Sequence, residues 1–251
     1  MTAFSANLGF LWTDRCLTDA IRAAKAAGFH AVECHWPYDT PAKEVATVLA
    51  EIGLPMLGLN TRRGATGQNG LSALPGAETE ARAAIDEALA YAQAVDARAV
   101  HVMAGFARGP AAHSAFRDAL AYACDRTDRM ILIEPLNRHD APGYFLQTTD
   151  QAAEIIGDLG HMNLKLMFDC YHVGRTEGDV MTRLAALLPI IGHIQFASVP
   201  DRGPPDRGEL DYGAVFARIA ELGWAVPLGA EYRPPLDDDP AAWMAALDAG
   251  P

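Results

Sequence analysis

The chain has 251 residues, half of them apolar and about a fifth charged, with 20 Lys and Arg against 32 Asp and Glu for a formal net charge of −12. This is the composition of a globular protein with enough chain for a large core, and it excludes a disordered or fibrous chain. The acidic balance argues against a nucleic-acid-binding face, while a local cationic pocket for a small anion is compatible with it.

The opening segment, MTAFSANLGFLWTDRC, lacks a basic stretch followed by an apolar run. No apolar run reaches the roughly 18 residues of a spanning helix. A cytoplasmic protein with no membrane contact is expected. From there on, short runs of Val, Ile, Leu and Phe alternate with longer Ala-rich amphipathic stretches, the pattern of repeated βα units. Strands are expected at 4–10, 30–36, 55–61, 99–105, 130–136, 163–169, 191–197 and 226–232. Helices are expected at Thr18–Ala27, Glu78–Val95, Thr149–Leu159 and Tyr212–Leu222. Gly28, Gly53, Gly160 and Gly223 stand where helices should stop.

Eight units in 251 residues give about 31 residues each, the density of a single (β/α)₈ TIM barrel. A doubly wound sheet is the alternative, but no glycine-rich phosphate-binding turn follows the first strand. No linker or low-complexity segment divides the chain, so residues 1–251 read as one domain. Cys16, Cys34, Cys124 and Cys170 are scattered without close pairing and read as reduced thiols. Two segments are longer than a barrel needs, Thr61–Pro75 and Ser198–Asp211. Both follow strands, which puts them on the C-terminal face where barrel enzymes carry their sites.

In four consecutive units a metal-competent oxygen residue ends the apolar run: Glu134 after MILI, Asp169 after LKLMF, Gln195 after GHI and Glu231 after LGA. They are 35, 26 and 36 residues apart, about one unit per step. In a barrel they therefore stand on neighbouring strands, about 4.8 Å apart, close enough to converge on one ion. Any one of them alone reads as a helix cap or a loop hydrogen-bonding residue. Three carboxylates at one depth, however, repel unless a cation or protons compensate. An all-oxygen set suits Mg²⁺ or Mn²⁺ better than Zn²⁺. His172, three residues past Asp169, is placed to meet a substrate oxygen. His193 shares a strand face with Gln195 one layer deeper, where a core imidazole is an equal reading.

The segments IEPLNRHDAPGYF (133–145), FDCYHVGRTEGD (168–179), GHIQFASVPDRGPPDRGELDY (192–212) and GAEYRP (229–234) resemble the hydroxypyruvate isomerase family of the xylose-isomerase-like barrels. FSANLGFLW, AAGFHAVECHWPYD (26–39) and LSALPG (71–76) with HVMAG (101–105) extend the resemblance over essentially the whole chain. It implies that Glu134, Asp169, Gln195 and Glu231 bind one divalent ion and that Glu134 and Glu231 also exchange substrate protons. Related ketose 3-epimerases usually carry histidine at the place of Gln195, so the glutamine points to the hydroxypyruvate isomerase branch. His172 matches a histidine that contacts substrate oxygens, and Arg202 lies where a substrate-binding arginine is expected.

The implied reaction is interconversion of hydroxypyruvate and tartronate semialdehyde through an enediolate. The substrate carboxylate needs a cation, for which Arg202 is the first candidate and Arg62 the second. Trp36 and Tyr38, just after the second strand, are candidates for the pocket wall. Two features leave the substrate open: NTRRG after the third strand is more basic than the family pattern, and LSALPG with HVMAG resembles the 2-oxo-tetronate isomerase branch. A ketose 3-epimerase is the further alternative. An abasic-site endonuclease would need more histidine ligands and a basic groove, and a non-catalytic sugar sensor has nothing to recommend it given the glutamate pair. Alanine-rich helix faces are compatible with a homo-oligomer.

Overall fold

The computed structural model describes residues 2–234 and 239–248. In chain order the elements are β1 (Phe4–Asn7), α1 (Leu17–Ala26), β2 (Ala31–Cys34), α2 (Ala42–Ile52), β3 (Met56–Asn60), α3 (Glu78–Val95), β4 (Ala99–His101), α4 (Gly109–Asp125) and β5 (Met130–Ile133). They continue with α5 (Thr149–Leu159), β6 (Leu164–Asp169), α6 (Cys170–Thr176), α7 (Val180–Leu187), β7 (Ile191–Phe196), α8 (Tyr212–Glu221), β8 (Leu228–Ala230) and α9 (Ala242–Asp248). The eight strands pair in sequence order, all parallel, and β8 closes on β1. The molecule is a (β/α)₈ barrel.

The strands are three to six residues long, shorter than the apolar runs in the sequence. Each run continues past its last ladder bond into the loop that builds the C-terminal face. β4, for example, ends at His101, while Val102 to Gly105 carry on as a buried segment against which the loop after β3 docks through Ala73 N–H to Ala104 O. α2 and α5 end in left-handed residues, Gly53 and Gly160, as the sequence implies. No helix among the described residues is long and apolar enough to cross a membrane. All four cysteines are free, and only Cys16 is exposed.

Strand alternation divides the chemistry between two layers. Outward residues such as Val32, Val100, Ile131, Ile133, Leu166, Phe168, Ile194 and Phe196 form the main core with the helices. Phe196 sits within 5.0–5.7 Å of Phe216, Trp243 and Phe4, tying β1 and β7 to α8 and α9. Inward residues grade along the axis: Ala99, Leu132 and Met167 form a small apolar plug, and polar groups occupy the C-terminal end. That plug keeps the barrel a packed body whose chemistry can lie only at one mouth.

Candidate active site

Because Met167 and Leu132 point inward, the residues two positions further along must do the same. Asp169 ends β6, and Glu134 follows β5. Gln195 is the strand partner of Asp169 on β7, and Glu231 follows β8, its N–H donating to Phe196 O at 3.1 Å. The structure brings these four together. Glu134, Asp169, Glu231 and His172, from the first turn of α6, present donor atoms that all lie within 4.8 Å of one another. Gln195 Nε2 is 3.5 Å from Glu231 Oε1. Glu134, His172 and Glu231 line a cavity of about 350 Å³ together with Trp36, Arg63 and Arg233, a volume suited to a small ligand.

The two glutamates differ sharply in their surroundings. Glu231 Oε1 faces Asn7 Nδ2 at 2.9 Å and His35 Nε2 at 3.0 Å, and Oε2 accepts from Arg202 Nη2. Burial raises its pKa, but Arg202 and then His35 outweigh that and hold it down at about 2. Glu134 is pushed well above the ordinary carboxylate range by burial and by the charges of Glu231 and Asp169. Asp169 is raised to about 7 by burial and Glu231, with Arg202 and the helix amides of Tyr171 and His172 pulling against it.

Arg202 belongs to the long loop after β7, yet its position is fixed. Its N–H donates to Ser198 O at 2.8 Å, its carbonyl accepts from Arg233 N–H at 2.7 Å, and its backbone is left-handed with φ 55°. The guanidinium lies between the rings of Phe10 and Tyr171, 4.6 and 5.0 Å from their centroids. It reaches Glu231 and comes within 4.0 Å of Asp169 Oδ2. A non-glycine residue in this conformation marks a backbone held by its surroundings.

His172 is equally constrained. Its Nδ1 accepts the backbone N–H of Asn137 at 2.9 Å, so a neutral ring carries its proton on Nε2. Burial followed by the Arg202 charge lowers its pKa to about 3 and keeps it neutral. Nε2–H therefore faces the cluster as a donor, 3.6 Å from Asp169 Oδ2 and 3.8 Å from Glu134 Oε1, with no partner of its own.

Sequence reasoning passed over several residues here. Glu33 on β2 crosses the barrel interior to accept from Asn7, Gln195 and His193. His193 is thus a partnered imidazole inside the barrel. His101 ends β4 with Nδ1 3.7 Å from Glu134 Oε2, and burial lowers its pKa to about 3. The signal was present in the sequence: a charged or imidazole side chain at an inward position of an otherwise apolar strand needs a partner.

Arg62 and Tyr38 are not brought to the cavity. Arg62 makes a two-pronged bond to Glu87 at 2.6 and 2.9 Å, its side chain half exposed, and lies 4.6 Å over the Tyr38 ring. Tyr38 in turn donates to Asn60 O. The neighbouring Arg63 takes the place expected for Arg62: it lines the cavity, stacks 4.5 Å over Trp36 and bonds to Gln68 O and Asn69 Oδ1. Adjacent residues of an extended loop point in opposite directions, so only one could face inward.

The residues fit a divalent cation. Glu134 Oε1, Asp169 Oδ2 and Gln195 Oε1 are buried oxygens that receive no hydrogen bond. Among the described residues, three buried carboxylates are paired with a single guanidinium, and such a surplus of negative charge calls for a cation or for protons. With the His172 proton on Nε2, the donors left for an ion are all oxygen, the preference of Mg²⁺ and Mn²⁺.

A closed parallel barrel with a cluster of buried polar side chains at its C-terminal mouth is the architecture of a barrel enzyme. Residues 21–249 match the family model described as xylose isomerase-like TIM barrel. The chain is 40% identical over 243 residues to the 2-oxo-tetronate isomerase of Cupriavidus necator, covering 93% of this chain and 94% of that protein. It is 34% identical to the hydroxypyruvate isomerase of Escherichia coli, with the same shares covered. Among solved structures, an AP endonuclease, family 2, from Brucella melitensis superposes with a TM-score of 0.92 at 33% identity, over 98% of this chain and 99% of that one. The chain belongs to the xylose isomerase-like TIM barrel family, and with its hydroxypyruvate and 2-oxo-tetronate isomerase relatives it is an isomerase.

Proposed function

We propose that the protein is a divalent-cation-dependent isomerase that interconverts a short 3-hydroxy-2-oxo acid with its 2-hydroxy-3-oxo isomer, hydroxypyruvate with tartronate semialdehyde in the simplest case. The observation that carries this reading is the set of three unpartnered buried oxygens beside two glutamates of opposite protonation tendency. Glu134, Asp169, Gln195 and Glu231 would hold the ion. Bound there, Mg²⁺ or Mn²⁺ supplies Lewis-acid polarisation of the substrate carbonyl and offsets the negative charge that develops on its oxygens.

The chain's own residues then account for the protons. Glu231, kept ionised, takes the C3 hydrogen as a proton, leaving an enediolate across C2 and C3. Glu134 carries the second proton in this reading and returns it to C2. The C3 hydroxyl proton passes to the C2 oxygen, where His172 Nε2–H is placed to stabilise charge. One carboxylate ends protonated and the other ionised, and exchange with solvent resets them. Arg63, ordered by Trp36 and Asn69, is the partner for the substrate carboxylate, with Arg233 lining the same cavity.

A second reading, 2-oxo-tetronate isomerase, is favoured by the 40% identity to the enzyme of that name. It uses the same residues on a substrate one carbon longer. The test supplies each acid in turn to metal-stripped protein with and without Mn²⁺ and follows the product. Cation-dependent turnover of either acid supports the reading and ranks the two. Turnover without any cation, or of neither acid, overturns it.

A further inference from the structure

We infer that Glu33, inside the barrel on β2, is a positioning residue that fixes which end of the Gln195 amide meets the cation. This rests on the cation reading of the cluster above.

A glutamine side chain presents an oxygen and an NH₂ of nearly equal shape, and only the oxygen can ligate a cation. Something must therefore decide the rotation of the amide. Glu33 Oε1 lies 2.8 Å from Gln195 Nε2, and a carboxylate accepts only. The other acceptor on that side, Glu231 Oε1, is 3.5 Å away, at the limit of a useful bond. With the NH₂ committed to Glu33, Oε1 is the end left over, and it is buried without a partner.

Glu33 is itself held on both oxygens. His193 Nε2 lies 2.6 Å from Oε2, and Asn7 Nδ2 donates to Oε1 at 3.1 Å. Asn7 Nδ2 also donates to Glu231 Oε1 at 2.9 Å, so one amide links Glu33 to a second cation ligand. Space for the crossing comes from β8. A Cβ at residue 229 would fall 2.6 Å from Glu33 Oε1 and 2.7 Å from Gln195 Cγ, so the strand carries glycine there. Outer partners that orient ligands typically change metal affinity 10- to 100-fold when removed.

A double-mutant cycle on Mn²⁺ affinity, measured by titration calorimetry without substrate, tests this. Glu33→Met should weaken Mn²⁺ binding roughly 10- to 100-fold. The same change in a Gln195→Glu background should cost less than about threefold, because a carboxylate at 195 presents oxygen whichever way it turns. Thermal melts of the metal-free proteins establish that each variant folds, and Glu33→Leu, which also lacks an acceptor, serves in the same cycle should Glu33→Met not fold. Unchanged affinity in the single variant, or equal losses in both backgrounds, overturns the positioning role. Absence of Mn²⁺ binding by the unmodified protein overturns the cation reading itself and the inference with it.

Discussion

The guanidinium of Arg202, carried by a loop, donates to Oε2 of Glu231 at the end of β8, while Asn7 and His35 occupy Oε1 of the same carboxylate. Among the described residues, Arg202 is thus the one guanidinium paired with a cluster of three buried carboxylates, and it shares those carboxylates with any cation. Two opposite effects follow from removing it. Arg202→Met leaves Glu231 buried without its ion partner, which should destabilise the metal-free protein by roughly 3 kcal/mol and lower kcat/KM about 100-fold. It should also leave Mn²⁺ affinity equal or higher, since a competing positive charge is gone. Melting curves, kinetics and Mn²⁺ titration of this one variant check all three.

The raised carboxyl groups give a pH signature. Asp169, raised to about 7, and Glu134, raised further by burial and its neighbours, keep protons that the unfolded chain has already released near pH 4. Their contribution to stability is therefore present at low pH and lost as pH rises toward about 7. A cation competes with the Asp169 proton, so binding near neutral pH releases it. The rise in Tm caused by saturating Mn²⁺ should grow between pH 5 and pH 7.5. His101 and His172, lowered to about 3 by burial, oppose this trend in the metal-free protein, and taking the difference removes what the two forms share. A cation-induced shift independent of pH would contradict the account.

The Asn137 amide bond to His172 makes the histidine a donor rather than a ligand. His172→Gln should then lower kcat by about 10² or more and change the Mn²⁺ dissociation constant less than about threefold. Loss of the ion in this variant would place His172 among the ligands instead.

The two neighbouring arginines after β3 should separate cleanly. Arg62→Met removes an exposed pair with Glu87 and should cost less than about 1 kcal/mol with turnover nearly unchanged. Arg63→Met should raise KM for a carboxylate substrate about tenfold or more with little change in kcat, a loss of binding shared by ground and transition states. Steady-state kinetics on both variants decide which arginine faces the substrate.

The barrel could be read from the sequence because its signals are local: MILI, LKLMF and GHI repeat at unit spacing, and α3 and α5 occupy the spans their amphipathic patterns mark. The convergence of Glu134, Asp169, Gln195 and Glu231 was legible for the same reason, since strand order turns sequence spacing into adjacency. Arg63 against Arg62 was not, because a loop has no periodicity to say which of two adjacent side chains turns inward. Glu33 sat in plain view inside HAVECHW, but its partners lie on β1 and β7, and only barrel closure brings β7 to it. Tyr38 looked like a pocket wall from its place after β2, and its hydroxyl instead bonds to the end of β3.

The most direct test of the central claim is proton NMR in D₂O of hydroxypyruvate with metal-stripped protein, before and after adding Mg²⁺, alongside Glu134→Gln and Glu231→Gln. The account predicts cation-dependent loss of the C3 proton signal and deuterium at C2 of tartronate semialdehyde, with both effects abolished in Glu231→Gln. In Glu134→Gln, exchange at C3 should outlast product formation. Exchange that persists in both variants, or deuterium that returns only to C3 of unreacted substrate in the unmodified protein, would contradict the assignment of the two glutamates as the proton-moving pair.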